Sequence, residues 1–276
     1  MNILVSCDEN YLNPLKTMLY SLFKSNDTNF EIYLIHKDIR DEKIKEIEKF
    51  VIKASSKRAK LNPIKVKNLF LNAKTTFYYT EEMYYRLLAY KYLPENLDRI
   101  LYLDPDVLVL NSCEKLYNMD LRDNYFAAAT HTIPTVQSAN VARLSISSGH
   151  KDIENYFNSG ILMINLKLAR NSQSYEKEVL NYVKNTKSLG LIMPDQDLLN
   201  VVFRNKIIKI DEIKYNYDAR RYLAYKLKDK KYNLSYIISN TCFLHFCGKR
   251  KPWLEENNLG VFTSLYLYFW KKAMNI

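Results

Sequence analysis

The amino-acid sequence predicts one α/β domain with a mixed, mostly parallel central sheet flanked by helices. Short apolar runs typical of buried strands alternate with helical patterns over residues 2–69. Asp104 and Asp106 directly follow another such run, at the kind of strand end where open α/β sheets bind ligands. The 276 residues are 47% hydrophobic, which is enough for one large core. These features favour a single ligand-binding domain.

The first part of the chain has the order strand, helix, strand, helix, strand, which is typical of parallel strands joined by crossover helices. The strands are predicted at Asn2–Cys7, Phe30–His36 and Ile64–Leu69, with helices over Leu15–Phe23 and Asp41–Ile52 between them. The loop after the first strand is expected at the ligand-binding edge of the sheet. A later helix is predicted to begin at Thr80, to carry Arg86 and to end at Pro94.

Two acids lie between the predicted strands Ile100–Leu103 and Val107–Leu110, in the sequence Asp104-Pro105-Asp106. Residues two apart in an extended segment point the same way, so both carboxylates can converge on one point. Carboxylates about 4 Å apart repel by about 4 kcal/mol at an effective dielectric constant of 20, so the pair favours a proton or a hard cation. Three interpretations stay open: an Asp-Pro turn, a cation that holds a nucleotide-sugar diphosphate, and a phosphohydrolase with Asp104 as nucleophile.

Short elements continue through the second half of the chain. Strands are predicted at Phe126–Thr130, Ile161–Ile164, Ile207–Ile210 and Thr241–Phe246, and helices over Tyr175–Lys187 and from Pro194 onward. Asp195 is expected to cap the second of these helices. Residues 132–152 are polar, aperiodic and serine-rich, so a long loop is predicted there, and residues 214–236 show no clear pattern.

The last segment, residues 259–276, carries apolar and aromatic residues around Lys271 and Lys272. This pattern predicts either a core helix or an amphipathic helix that lies on a membrane surface. The domain organisation expected from the sequence is therefore a main domain over residues 1–258 followed by this C-terminal helix.

The net charge of +11 predicts an anionic partner such as a nucleotide diphosphate or an acidic lipid surface. The basic residues are scattered and carry no RNA-binding signature, so no nucleic-acid partner is expected. No apolar run reaches the roughly 18 residues of a membrane span, and the N-terminus lacks a signal-peptide pattern. With four cysteines that lack metal-type spacing, these features predict a cytoplasmic protein with reduced thiols, either free or peripheral on the inner face of the membrane.

Six short motifs, taken in order, resemble those of glycosyltransferase family 8. They are Ser6–Tyr11, Tyr85–Leu87, Tyr102–Asp106, Phe157–Gly160, Asp195–Asp197 and His245–Trp253. This family comprises retaining galactosyl- and glucosyltransferases, among them bacterial lipooligosaccharide galactosyltransferases and glycogenin. The resemblance covers nearly the whole chain and implies a GT-A fold, a single domain that binds a UDP-sugar together with Mn²⁺. Pro105 departs mildly from the small residue that usually separates the two aspartates.

The resemblance also implies a role for each matching residue. The metal ligands would be Asp104, Asp106 and His245, binding Mn²⁺ or alternatively Mg²⁺. The nucleotide would be held through its uracil by Asp8, Asn10 and Tyr11, and through its diphosphate by Gly248 and Lys251. The sugar would be surrounded by Arg86, Asn158, Asp195 and Gln196, of which the last two would be the catalytic residues.

The implied reaction moves a hexose from UDP-galactose or UDP-glucose to a glycan or glycolipid acceptor. Gln196 is a neutral and poor nucleophile, which favours attack from the leaving-group face, while Asp195 as a covalent nucleophile stays an alternative. Two other classes of protein compete with this interpretation. One is the metal-dependent phosphohydrolase already described, and the other is a non-catalytic protein that binds membrane surfaces.

Overall fold

The N-terminal part of the chain folds as the predicted alternation of strands and helices. The computed structural model describes residues 1–66, 85–130, 134–185, 194–254 and 260–276. The first elements are β1 (Asn2–Ser6), α1 (Leu12–Ser25), β2 (Phe30–His36), α2 (Asp41–Ala54) and β3 (Ala59–Lys65). β3 begins at Ala59 rather than at the predicted Ile64. The prediction missed its first residues because β3 is an edge strand with one polar face and so lacks a continuous apolar run.

The chain around the two aspartates also follows the prediction closely. Its elements are β4 (Arg99–Leu103), β5 (Val107–Val109), α3 (Glu114–Tyr117) and β6 (Phe126–Ala129). Arg86 was expected within a helix, but it lies in the turn that follows the helical residue Tyr85. The predicted helix start at Thr80 lies outside the described residues.

The predicted long loop at residues 132–152 is wrong, because most of it forms a helix, α4 (Pro134–Ser148). The helix shows little apolar periodicity: Leu144 is buried against Ile153, Tyr156 and Val201, whereas Ile146 is 84% exposed. A single buried leucine among serines does not give the stripe from which a helix is predicted. The helix α4 is therefore specified by its contacts with the rest of the fold rather than by a periodic pattern in its own sequence.

The second half contains many short elements. They are β7 (Ile161–Asn165), α5 (Leu166–Asn171), α6 (Tyr175–Asn185), α7 (Pro194–Val202), β8 (Ile207–Ile210), α8 (Glu212–Tyr215), β9 (Tyr217–Asp218), α9 (Tyr222–Lys228), α10 (Leu234–Asn240), β10 (Phe243–His245) and α11 (Val261–Met274). The region 214–236, which showed no clear pattern, holds a two-residue strand and helices of four and seven residues. Elements this short span too few residues to establish a period.

Seven strands of the described residues form the central sheet, in the order β3-β2-β1-β4-β7-β6-β8. β7 runs antiparallel to β4 and β6, and the other neighbouring pairs are parallel, so the mixed, mostly parallel sheet is confirmed. Successive residues of β4 alternate between two apolar clusters, with Leu101 in one and Tyr102 in the other. Burial on both faces explains why this strand is a continuous apolar run in the sequence.

A smaller sheet joins distant parts of the chain, in the order β5-β10-β9. β10 is antiparallel to β5 and parallel to β9. Its register pairs His245 with Val107 on one side and with Asp218 on the other. His245 is therefore brought to within one residue of Asp106 by backbone pairing alone.

The C-terminal helix α11 packs against α1, with Phe262 and Tyr266 buried and the Phe269 ring 6.3 Å from that of Tyr20. Its other side exposes Leu267 and Tyr268. Among the described helices, none combines the length and apolar character that a membrane span requires. The four cysteines are free thiols, as the sequence predicted.

Candidate active site

Asp104, Asp106 and His245 meet at the carboxyl end of β4. Asp104 directly follows β4 and His245 ends β10, so each of the two sheets contributes to the cluster. One ligand atom from each residue lies within 4.8 Å of the other two. Nε2 of His245 is 3.2 Å from Oδ1 of Asp106 and 3.8 Å from Oδ2 of Asp104. Two carboxylates and an imidazole form a donor set that suits a divalent first-row cation.

The buried carboxylate of Asp106 fits a cation-binding role. Its Oδ1 accepts no hydrogen bond from any described residue, while its Oδ2 accepts one from Nζ of Lys251. Burial alone would raise the pKa of Asp106, but the positive charges of His245 and Lys251 outweigh burial and hold this pKa well below the usual carboxyl range. An ionised, buried carboxylate whose Oδ1 faces the imidazole Nε2 of His245 at 3.2 Å offers two neighbouring ligand atoms to a cation.

Gly160 makes room for two of the three candidate ligands. A Cβ at this position would lie 2.3 Å from Cε1 of His245 and 2.6 Å from Oδ2 of Asp104. The Gly160 carbonyl also accepts a hydrogen bond of 2.8 Å from the Asp104 amide. The absence of a side chain at Gly160 thus lets the side chains of His245 and Asp104 approach the backbone.

A chain of amide groups links His245 to Gln196. Nδ1 of His245 lies 2.8 Å from Oδ1 of Asn216, and Nδ2 of Asn216 donates to Oδ1 of Asn158 over 2.8 Å. Nδ2 of Asn158 in turn donates to Oε1 of Gln196 over 3.0 Å. With Asn216 as acceptor, the Nδ1–H of His245 is held in place, so Nε2 faces the aspartates and becomes a metal ligand once a cation displaces its proton. The chain thus fixes the orientation of a candidate metal ligand and of a predicted catalytic residue together.

Arg86 is buried at the junction of the predicted metal and sugar sites. Its Nη1 lies 3.1 Å from Oδ1 of Asp104 and 3.6 Å from Oδ2 of Asp195, and it donates to the Ser159 carbonyl over 2.9 Å. The guanidinium also lies 4.4 Å from the centre of the Tyr102 ring. Burial lowers the pKa of Arg86, but nearby negative charge, chiefly that of Asp104, outweighs burial and raises it. The side chain is therefore a fixed positive charge between two carboxylates.

The first turn of α7 directs Asp195 and Gln196 toward the site. Asp195 lies inside the helix rather than at its N-cap, and its Oδ2 accepts a hydrogen bond from Oγ of Ser159 over 2.8 Å. The predicted capping role is therefore wrong. Burial raises the pKa of Asp195, and the charge of Arg86 opposes this rise. Gln196 accepts hydrogen bonds from Asn158 and from the Ser159 amide, so its carbonyl oxygen is already engaged.

The loop after β1 forms one wall of the site. Asp8 accepts hydrogen bonds from the backbone amides of Asn10 and Tyr11 and so caps the short 3-10 helix Glu9–Tyr11. The Tyr11 ring contacts the Trp253 ring edge-on at 5.8 Å, and Nζ of Lys251 lies 5.8 Å from the centre of the same indole. The predicted uracil-binding and diphosphate-binding residues are therefore neighbours in the structure.

Gly248 lies in the loop after β10 with a φ of +83°, a conformation that favours glycine. Hydrogen bonds and ion pairs join most of the described candidate residues into one group, which Tyr11 adjoins through Trp253, whereas the hydrogen bonds of Asp8 and Asn10 stay within the loop after β1. The structure adds Tyr102, Ser159, Asn216 and Trp253, to which sequence reasoning gave no role. Ser159 and Trp253 lie inside motifs that the sequence singled out, whereas Asn216 lies in the region without a clear pattern.

Comparison with known proteins decides the family. The sequence profile described as glycosyl transferase family 8 matches residues 2–257. The chain belongs to glycosyltransferase family 8. General stress protein A of Bacillus subtilis (strain 168) is 28% identical to it over 281 residues, covering 98% of this chain and 92% of the relative. The lipopolysaccharide 1,2-glucosyltransferase of Escherichia coli is 29% identical over 260 residues, covering 93% of this chain and 74% of the relative.

The solved structures agree with this assignment at the level of the fold. A crystal structure of the galactosyltransferase LgtC, in complex with donor and acceptor sugar analogs, superimposes with a TM-score of 0.80 and 22% identity. The match covers 99% of this chain and 96% of LgtC. The fold of this family 8 glycosyltransferase is therefore the predicted GT-A fold.

Family membership removes the two competing classes. A phosphohydrolase with Asp104 as nucleophile would need a lysine beside that carboxylate, but among the described residues the basic side chain that pairs with Asp104 is the Arg86 guanidinium, and Lys251 pairs with Asp106. A non-catalytic membrane-surface protein would not explain the connected cluster of acids, amides and cations. Membership of glycosyltransferase family 8 favours neither alternative.

Proposed function

We propose that this family 8 glycosyltransferase moves a hexose, glucose or galactose, from a UDP-sugar to a glycan or glycolipid acceptor with the help of Mn²⁺. The observation that supports this most strongly is the convergence of Asp104, Asp106 and His245 beside Lys251. Two aspartates and a histidine hold a divalent cation well, and a buried lysine next to them matches the negative charge of a diphosphate. Mg²⁺ would fit the same oxygen ligands but gains less from the imidazole.

The proposed metal ligands would hold Mn²⁺ against the diphosphate, where the cation supplies Lewis-acid stabilisation of the UDP leaving group. Lys251 adds a second positive charge on the same group, so the leaving oxygen needs no general acid. Gly248 would contact the diphosphate through its backbone N–H. At the other end of the nucleotide, Asp8 and Asn10 would hold the uracil and Tyr11 would stack on it.

Arg86, Asn158, Asp195 and Gln196 would surround the hexose. We propose that the acceptor hydroxyl attacks from the leaving-group face: its bond to the anomeric carbon forms as the bond to UDP breaks, and its proton passes to the departing phosphate. The contacts of Asp195 with Arg86 and Ser159 support this route over a covalent intermediate, because they hold the carboxylate away from nucleophilic use. Gln196 would orient the sugar through its amide.

The reaction can be tested without knowing the acceptor. Incubation with Mn²⁺ and either UDP-glucose or UDP-galactose should slowly hydrolyse the donor to UDP and free hexose. Early ¹H NMR spectra should show the α-anomer of the hexose first, because the anomeric configuration is retained. Asp106→Asn should abolish the release, because it removes one ionised metal ligand. Phosphate release from phosphomonoesters together with no cleavage of either UDP-sugar would contradict the proposal.

The proposed acceptor class is supported by the names of two relatives. The E. coli protein is named a lipopolysaccharide 1,2-glucosyltransferase, and a Salmonella typhimurium relative, 25% identical, is named a lipopolysaccharide 1,3-galactosyltransferase. These names support a glycolipid or other cell-surface glycan as acceptor and keep both hexoses open. They also favour action in the cytoplasm at the inner face of the membrane.

Peripheral contact with an anionic membrane would bring the site to a glycolipid acceptor. On α11, the exposed residues Leu267 and Tyr268 lie close in sequence to Lys271 and Lys272, a combination that suits a lipid surface. Replacing both lysines by glutamine should weaken co-sedimentation with phosphatidylglycerol vesicles. Lys45→Gln with Lys49→Gln on α2 is the charge-matched control, and equal weakening by both pairs would contradict a specific role for α11.

A further inference from the structure

Arg220 lies against Gly248, one of the residues proposed to contact the diphosphate. A Cβ at Gly248 would be 2.5 Å from Nη1 of Arg220. The guanidinium therefore occupies the space that a side chain at position 248 would need. This close approach brings an arginine from the turn after β9 to the loop after β10, and the sequence patterns gave no role to Arg220.

Asp218 holds the Arg220 guanidinium in place. Nε and Nη2 of Arg220 donate to its two carboxylate oxygens over 2.9 and 2.7 Å. Burial raises the pKa of Asp218, but the hydrogen bonds and charge of Arg220 outweigh it and lower that pKa. Asp218 is 1% exposed, whereas the Arg220 side chain is 38% exposed. The carboxylate is therefore a buried anchor, and the arginine is the part that a ligand can reach.

One arm of the guanidinium remains available. Among the residues that the structure describes, none accepts a hydrogen bond from Nη1 of Arg220, and this is the atom that lies beside Gly248. The backbone register pairs Asp218 with His245, so the anchor of Arg220 is the direct neighbour of a candidate metal ligand. Gly248 itself lies between His245 and Lys251 in the chain. Asp218 thus holds Nε and Nη2 of Arg220, while Nη1 faces the loop at Gly248. A guanidinium held in this way can donate a charge-assisted hydrogen bond to a phosphate oxygen.

We propose that Arg220 is a further phosphate-binding residue, whose Nη1 donates to an oxygen of the donor diphosphate on the Gly248 side. The inference rests on the proposed function, since it places a second cation on the same diphosphate as Lys251. Asp218 then acts as a positioning residue, because its carboxylate accepts hydrogen bonds from both the guanidinium and the backbone N–H of Arg220. A glycine is required at position 248 because any side chain there would displace this cation.

The test is calorimetric titration of the full chain with UDP in the presence of Mn²⁺. Arg220→Gln should weaken UDP binding about 10-fold or more, because it removes a charge-assisted hydrogen bond. The matched control is Arg221→Gln, which loses the same charge one residue away and whose Nε is only 3.6 Å from the same Asp218 carboxylate. The control should change UDP affinity less than 2-fold, roughly the effect of one partly exposed, screened charge that does not touch the phosphate.

A second ligand separates phosphate contact from general distortion. Uridine lacks phosphates, so its affinity, measured by ligand-observed NMR titration, should be equal for wild type and Arg220→Gln. Arg220→Lys keeps the charge but loses the bidentate bond to Asp218, and it should recover part of the UDP affinity. Thermal unfolding of each variant verifies that it folds; if Arg220→Gln does not, Arg220→Lys and Asp218→Asn carry the test.

Two results would overturn the inference. Equal UDP affinities of Arg220→Gln and Arg221→Gln would show that Arg220 makes no special contact. Equal losses of UDP and uridine affinity would show that it shapes the loop without touching phosphate. Failure of the wild type to bind UDP with Mn²⁺ is a distinct outcome, which removes the proposed function and this inference with it.

Discussion

The size of the residue at position 160 controls the geometry of the proposed metal site. A single methyl group there would overlap both His245 and Asp104, and neither is a flexible chain end with room to withdraw. His245 is buried and tied to Asn216, while Asp104 accepts a hydrogen bond from Tyr102 over 2.5 Å. The methyl group must therefore push at least one candidate ligand out of place.

We expect Gly160→Ala to weaken Mn²⁺-dependent UDP binding at least 10-fold, the lower end of what disturbed ligand orientation costs in metal affinity. Calorimetric titration with UDP and Mn²⁺ measures this. Gly149→Ala is the control for a strained glycine-to-alanine change away from the site: φ there is +75°, but a Cβ would meet no atom within 4 Å, so UDP affinity should not change. Unchanged UDP affinity in Gly160→Ala would contradict the proposed ligand cluster.

Asn216 acts on the site through His245 and Asn158. Its amide oxygen faces the imidazole, and its amide nitrogen donates to Asn158, so replacing it by alanine frees both partners. We expect Asn216→Ala to lower Mn²⁺ affinity about 10- to 100-fold. Asn240→Ala, which removes an exposed asparagine on α10, is the control. Mn²⁺ titration followed by electron paramagnetic resonance measures the affinity, and equal values for both variants would argue against the amide chain.

The sequence could identify the acidic and basic members of this site but not the residues that orient them. Asp104 and Asp106 stand out because two charges follow a buried strand, and His245 because glycine and cations follow it closely. Asn216 carries no such signal. Its contacts are made with residues 29 and 58 positions away, and a lone asparagine is common in any loop. Only the pairing of β9 with β10 reveals its role.

At the scale of elements, α4 is joined to α7 by a buried ion pair. Asp197 of α7 is fully buried and accepts hydrogen bonds from Nη1 and Nη2 of Arg143 over 2.9 and 2.6 Å. Tyr156 donates to the same carboxylate over 2.8 Å. Since Asp195 and Gln196 come from the same turn of α7, this pair holds the helix that carries the proposed catalytic residues.

We expect Arg143→Ala to lower the free energy of unfolding by about 3 kcal/mol, because it removes the bidentate guanidinium from the buried charge of Asp197. Arg204→Ala is the control: it breaks the more exposed pair with Asp152 and should cost about 1 kcal/mol or less. Urea denaturation measures both variants. Equal losses of stability would show that the Asp197 pair contributes no more than a surface ion pair.

Elements were predictable from sequence where burial is continuous and long. β2 matches its predicted limits because six of its seven residues are buried, and the helical face of α1 is equally regular. α4 was missed because it buries little and exposes Ile146, and β9 because two residues cannot show a period. These two elements carry Arg143 and Asp218. Because the elements could not be predicted from the sequence, the roles of these two residues near the site could not be predicted either.

For the whole molecule, the two sheets together create the site. The central sheet supplies Asp104 at the end of β4, and the small sheet supplies His245, whose register beside Val107 sets its distance from Asp106. The α/β class, the GT-A fold and the family followed from motif order along the chain. The pairing of the small sheet did not, because its strands have only two or three residues and β5 pairs with β10 across more than one hundred positions.

The most direct test of this account is thermal unfolding of the chain with UDP alone, Mn²⁺ alone, both together, and both with excess EDTA. A ligand at about 100 times its Kd stabilises a protein by about 2.7 kcal/mol, which for a chain of this size raises Tm by about 5–10 °C. The account predicts this rise only when UDP and Mn²⁺ are both present, its reversal by EDTA, and its absence in Asp106→Asn. No shift with both ligands, or an equal shift in Asp106→Asn, would contradict a metal-bridged diphosphate at Asp104, Asp106 and His245.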